Sequence, residues 1–183
     1  MKTALELSAK FGKPWEGPSE MAAFEREHMT LWRADEWSIK FGKDWRRPWE
    51  GGFVPITARE ATSLYKPGSA PYIAPFSRIY CNRAIIEKLD LTFVALAHMN
   101  LLSEIKSFDG CFNVRKIRGK ESDPDAYSIH SFGLALDFNA KEMPLWSESK
   151  WTPEFVAVWK ALGWEWGGNF ERRDGMHFEH TDL

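Results

Sequence analysis

Two short segments in the C-terminal third of the chain carry the residues whose types could do chemistry together. Ser128-Ile129-His130-Ser131-Phe132-Gly133-Leu134-Ala135-Leu136-Asp137-Phe138 is answered further along by Asp174-Gly175-Met176-His177-Phe178-Glu179. His130, Asp137 and His177 would supply two imidazoles and one carboxylate, a three-ligand set that leaves a fourth position open for water, as at a catalytic rather than a structural zinc. The other acid, Asp174, is then free to handle protons. A lone H-x6-D pair is weak evidence. The whole string is far more specific, with its serine before the first histidine, its small residues between the ligands and its D-x-x-H-F-E.

The elements around these residues must bring them together. Gly133 suggests a bend between a loop bearing His130 and a strand, Leu134 to Phe138, bearing Asp137. In a second strand, Met176 to Glu179, the period of two puts His177 and Glu179 on one face and Phe178 and His180 on the other. Asp174 lies in the loop entering that strand. The alternation in Cys111 to Ile117 predicts a further strand, followed by a polar loop over Gly119 to Asp125. Thr152-Pro153-Glu154 predicts a capped helix start, and Gly163 its end. Upstream, Asn82 is a candidate N-cap for a long core helix reaching Ile105, and a shorter amphipathic helix is expected from Ser19 to about Ala34. The pattern is α+β, a small antiparallel sheet bearing the site and flanked by helices.

Composition agrees with a folded enzyme. The chain has 183 residues, 44% hydrophobic and 27% charged, enough for a real core and against global disorder. The formal net charge of -2 lacks the footprint of a nucleic-acid binder, and the basic spots (Arg46-Arg47, Arg115 to Lys120, Arg172-Arg173) are short. No apolar run suits a signal peptide or a membrane span, so synthesis in the cytoplasm is expected. Cys81 and Cys111 have no C-x-x-C spacing and read as free thiols. His28 and His98, each isolated in a helical pattern, read as packing residues.

Residues 1–76 form a distinct zone. Five of the ten tryptophans (Trp15, Trp32, Trp37, Trp45, Trp49) fall in its first 49 residues. Lys10-Phe11-Gly12-Lys13 returns as Lys40-Phe41-Gly42-Lys43, each leading to Pro-Trp-Glu-Gly; two copies are too few for a repeat architecture. The tryptophans read as core or as an aromatic surface that stacks on sugars.

The pattern S-x-H-x-x-G-x-A-x-D, matched from Ser128 to Asp137, resembles that of the zinc D-Ala-D-Ala carboxypeptidase and L-alanyl-D-glutamate endopeptidase family, which includes VanY-type enzymes and phage endolysins. Asp174 and His177 match its second element, preceded by the family-like Gly163-Trp164-Glu165-Trp166-Gly167-Gly168. The likeness covers about residues 76–183, so residues 77–183 are expected to form the catalytic domain, with 1–76 packed on it in a role the resemblance leaves open. The resemblance implies a Hedgehog/D-Ala-D-Ala peptidase-like fold, Zn2+ held by His130, Asp137 and His177, Asp174 as catalytic acid/base, and Arg115 holding substrate or the oxyanion, with Arg118 as its competitor. Ser128 and Glu179 are expected to orient ligands. It implies a monomer acting on peptidoglycan stem peptides, reaching the wall after release by lysis. Three cleavages fit: L-Ala-D-Glu endopeptidase, D-Ala-D-Ala carboxypeptidase, or another stem or cross-bridge cut. The alternative is a non-catalytic, zinc-stabilised binding or phage structural module, which would have no use for Asp174.

Overall fold

The computed structural model describes residues 2–33, 76 and 78–183, except the side chain of His98. Trp37, Trp45, Trp49, Arg46-Arg47 and the second Lys-Phe-Gly-Lys copy lie outside the described residues. Those that are described form an α+β arrangement of four α-helices and two small antiparallel sheets.

Helix α1 (Ala4–Phe11) begins on a capping box in which Thr3 and Glu6 satisfy each other's backbone N–H groups, and it stops at Gly12, whose φ of 78° is left-handed. Helix α2 (Pro18–His28) takes Pro18 in its first turn, where a missing N–H costs nothing. It ends earlier than the spacing of Met21, Phe24, His28 and Leu31 suggests. Met29 turns to extended backbone, and β1 (Met29–Arg33) pairs with β2 (Arg78–Asn82) from Met29 opposite Asn82 to Arg33 opposite Arg78. A helical apolar spacing is thus overridden by a partner strand distant in sequence.

The Asn82 side chain accepts from Ala84 N, as an N-cap should, but the helix is shorter than expected. A 3-10 turn, Arg83–Ile85, leads into α3 (Ile86–His98), which stops before Asn100, a left-handed residue with φ 59°. Leu101 and Ile105 therefore lie beyond it, Ile105 still buried. Helix α4 (Pro153–Ala161) starts at Thr152, whose side chain accepts from Phe155 N; Glu104 receives both the Thr152 N–H (3.0 Å) and hydroxyl (2.6 Å). Gly163, with φ 86°, follows its end.

The second sheet runs β3-β4-β6-β5: β3 (Phe108–Gly110), β4 (Ala135–Phe138), β6 (His177–Glu179) and β5 (Glu165–Trp166), all antiparallel. Cys111–Ile117 does not join it. That run instead makes an isolated bridge, Lys116 with Tyr127, outside the sheet. One face of the sheet packs into an aromatic core: Trp159 stacks on Phe178 at 4.6 Å, and Phe138 lies 5.6 Å from Trp159. Leu7, Phe11, Phe24 and Trp32 belong to the same buried cluster, so α1, α2 and β1 pack on the body that carries β4 and β6. The Trp32 indole donates to Asp90 at 2.8 Å within it.

Candidate active site

Positioning of the site begins at a glycine. Ile129–Phe132 forms a 3-10 turn opened by Ser128, whose hydroxyl accepts from His130 N, and Gly133 then reverses the chain into β4 with φ 65°. A Cβ on Gly133 would lie 2.7 Å from Met29 Cε and 3.0 Å from the Asn82 backbone nitrogen, which donates to Gly133 O at 2.9 Å. Only glycine meets both demands. His130 is thereby held facing β4, where Asp137 stands directly opposite His177 across the β4–β6 ladder. Beyond Asp137, the left-handed Asn139 locks the strand end: its side chain accepts from Lys106 N and Ser107 N and donates to Glu104 O.

The geometry brings His130, Asp137 and His177 together. One ligand-type atom from each lies within 4.8 Å of the others. His130 Nε2 is 3.1 Å from Asp137 Oδ2, His177 Nδ1 is 3.0 Å from Asp137 Oδ1, and the two ring nitrogens are 3.2 Å apart. Their far nitrogens are also engaged. His130 Nδ1 meets the Cys111 carbonyl at 2.7 Å, and His177 Nε2 meets Glu179 Oε2 at 2.8 Å. Those partners only accept, so each far nitrogen is the natural place for the ring proton. The inward nitrogens then present lone pairs to each other and to a carboxylate, an arrangement that requires a positive charge among them. In the chain alone a proton can supply it: burial opposes charging of His177, but hydrogen bonds to Asp137 and Glu179 outweigh burial and push its pKa up to about 10. Burial likewise favours neutral Asp137, yet bonds from both histidines hold its carboxyl far below the usual range. Two imidazoles and a carboxylate, fixed from behind, fit a divalent cation of the zinc type, which competes with that proton.

Asp174 enters from the neighbouring loop. Its N–H donates to Gly167 O at 2.9 Å and its carbonyl accepts from His177 N at 3.2 Å. A Cβ on Gly167 would stand 2.5 Å from Asp174 O, so this glycine cradles the loop. The indoles of Trp151 and Trp166 both donate to Gly175 O, at 2.8 and 2.9 Å, anchoring the next residue. Asp174 Oδ1 is buried and has no hydrogen-bond partner among the described residues. Burial, the largest influence, raises the pKa of this carboxyl; Asp137 raises it too, while His177, Arg172 and His130 pull it down.

A cleft of about 210 Å3 opens over the site, lined by Asp174, His177, Glu179, Ser128, Arg115 and Arg172 among others. Arg115 is half-buried; burial, the dominant influence, lowers its pKa, opposed by the charges of Asp137 and Asp174. Arg118 is exposed and does not line the cleft. Lys120, Phe170 and Arg172 do; Lys120 and Arg172 belong to the short basic spots Arg115 to Lys120 and Arg172-Arg173, whereas nothing in the spacing marks Phe170. Gly167 had a signal, in the Trp-Gly-Gly run before Asp174. Cys81 and Cys111 are buried free thiols, Cys81 pushed up to about 12 by burial and Cys111 well above its ordinary value by the same cause. His28 packs edge-on against Phe11 and Phe24. The His180 ring meets Gly163 O, away from the cleft.

Residues 122–180 match the family described as D-alanyl-D-alanine carboxypeptidase. That segment contains Ser128 to His177, where the resemblance is read. No curated protein and no solved structure matches the chain.

Proposed function

We propose that the protein is a zinc peptidase that hydrolyses peptide bonds in the stem peptides of bacterial peptidoglycan, as an endolysin-like L-Ala-D-Glu endopeptidase or a D-Ala-D-Ala carboxypeptidase. The observation that carries this reading is Asp174 beside the His130–Asp137–His177 cluster: a half-buried carboxyl whose buried Oδ1 has no hydrogen-bond partner among the described residues, lining the same cleft as His177 of a donor set suited to a metal. A structural metal site gains nothing from such a group.

His130, Asp137 and His177 would hold the ion, which when bound lowers the pKa of water and polarises a carbonyl. Asp174 takes the proton of the attacking water and passes it to the leaving amine; a carboxyl raised by burial suits both transfers near neutrality. Arg115 offers a guanidinium to the scissile carbonyl oxygen or to a substrate carboxylate. Ser128 steadies the turn bearing His130, and Glu179 orients His177. No covalent intermediate is required, and the buried Cys111 has no part. The test is mass spectrometry of purified peptidoglycan treated with zinc-loaded wild type and Asp174→Asn. New amino and carboxyl termini from the wild type alone are expected, and their position names the bond; none from walls of several cross-link types would overturn the reading.

A further inference from the structure

Cys111–Ile117 left the main sheet, and its pairing exposes a strand edge. Asn113 N donates to His130 O, Arg115 N to the Ser131 hydroxyl, Ser128 N to Arg115 O and Ile117 N to Ala126 O. Those bonds use residues 113, 115 and 117 toward the 126–131 arm. By the alternation of an antiparallel pair, the backbone of Val114 and Lys116 faces the other way. Neither backbone N–H has a hydrogen-bond partner among the described residues, nor has Val114 O.

The two faces of this arm border different cavities. Arg115, Ile117 and Ser128 line the cleft over Asp174 and His177. Val114, Lys116 and Tyr127 line a larger groove of about 740 Å3, whose far wall is Trp15, Met21 and Ala22. Arg115 borders both. Trp15 stacks on Tyr127 at 3.8 Å, so the N-terminal region is fastened to the arm and completes the groove. We infer that the Val114–Lys116 edge takes an extended peptide as an added strand, laid between the groove walled by Trp15, Met21 and Ala22 and the cleft bearing Asp174. Main-chain pairing provides the hold, and the groove receives side chains of the bound peptide. The inference rests on the peptidase reading, since the occupant is the substrate's own peptide.

Ala22 is exposed on α2, so Ala22→Trp narrows the groove without entering the core. In the zinc-loaded full chain carrying Asp174→Asn, a synthetic stem pentapeptide at saturation is expected to slow hydrogen exchange of the Val114 and Lys116 amides by roughly tenfold or more. Adding Ala22→Trp should remove that protection. In the otherwise wild-type enzyme, Ala22→Trp should raise KM for the pentapeptide about tenfold with kcat altered far less. Unchanged exchange at both amides at every peptide concentration overturns the inference, as does protection by a peptide-free glycan fragment instead. Protection without any cleavage by the wild type leaves the strand addition standing and sinks the peptidase reading. Cleavage without protection does the reverse.

Discussion

His177 is held between two carboxylates, its Nε2 2.8 Å from Glu179 and its Nδ1 3.0 Å from Asp137. His177 and Glu179 lie two apart on β6, so both point to the same face and the acid can fix the ring's proton on Nε2. Glu179→Gln keeps a hydrogen-bond acceptor there but removes the charge that makes the inward nitrogen basic. Zinc affinity, measured by competition with a chromogenic chelator, is expected to fall roughly 10- to 100-fold.

Substitutions in the cluster separate binding from chemistry. Replacing His130, Asp137 or His177 by Ala should abolish stoichiometric zinc uptake, assayed by metal analysis after dialysis. Asp174→Asn should retain the metal and lose about 10²- to 10⁴-fold in kcat. Loss of zinc from Asp174→Asn would move that residue into the ligand set.

Burial gives Asp174 a second, measurable signature. Its folded pKa is raised, so between its unfolded and folded values the folded chain binds more protons. The contribution to stability is therefore full below the unfolded value and is lost as pH rises through the folded one. In the metal-free protein, Asp174→Asn should be more stable than wild type at pH 7, the difference shrinking as pH falls toward 4. Denaturant melts at several pH values check this, and a constant difference would refute it.

Gly167 holds the Asp174 loop close by having no side chain. Gly167→Ala puts a Cβ where the Asp174 carbonyl lies 2.5 Å away, so the loop must shift. A drop in kcat of about 10²-fold is expected, because a misplacement near 1 Å costs that much, and the Cβ, 3.1 Å from His177 Cβ, should also weaken zinc uptake. Gly133→Ala should act differently, through left-handed backbone and the contact with Met29, lowering stability by about 1–3 kcal/mol in urea melts.

The two candidate arginines differ in place. Arg115 lines the cleft and feels Asp137 and Asp174, whereas Arg118 is exposed outside it. Arg115→Ala should lower kcat/KM by about 10-fold or more, as losing a charge-assisted bond does, while Arg118→Ala leaves it within twofold.

Local sequence went far where the controlling physics is local. Thr152-Pro153, Asn82 and Gly163 mark helix ends because capping and left-handed φ involve only neighbouring atoms. The convergence of His130, Asp137 and His177 was legible in the same way, from a glycine bend and a period of two. Elements failed where a distant partner decided them. Leu31 keeps helical spacing yet lies in β1, because β2 offers it a ladder. Cys111–Ile117 alternates like a sheet strand, but its bonds go to the 126–131 arm.

What the sequence by itself determined is the kind of chemistry: two imidazoles, two carboxyls and the small residues that let them approach, all within segments whose bends and periods are local. Only the tertiary structure decided the electrostatics and the surroundings. The Cys111 carbonyl behind His130, the burial that raises Asp174, the choice of Arg115 over Arg118 for the cleft, and the groove that α2 builds against residues 114–116 all depend on packing between segments far apart in the chain. Such contacts leave no periodic trace in either segment alone.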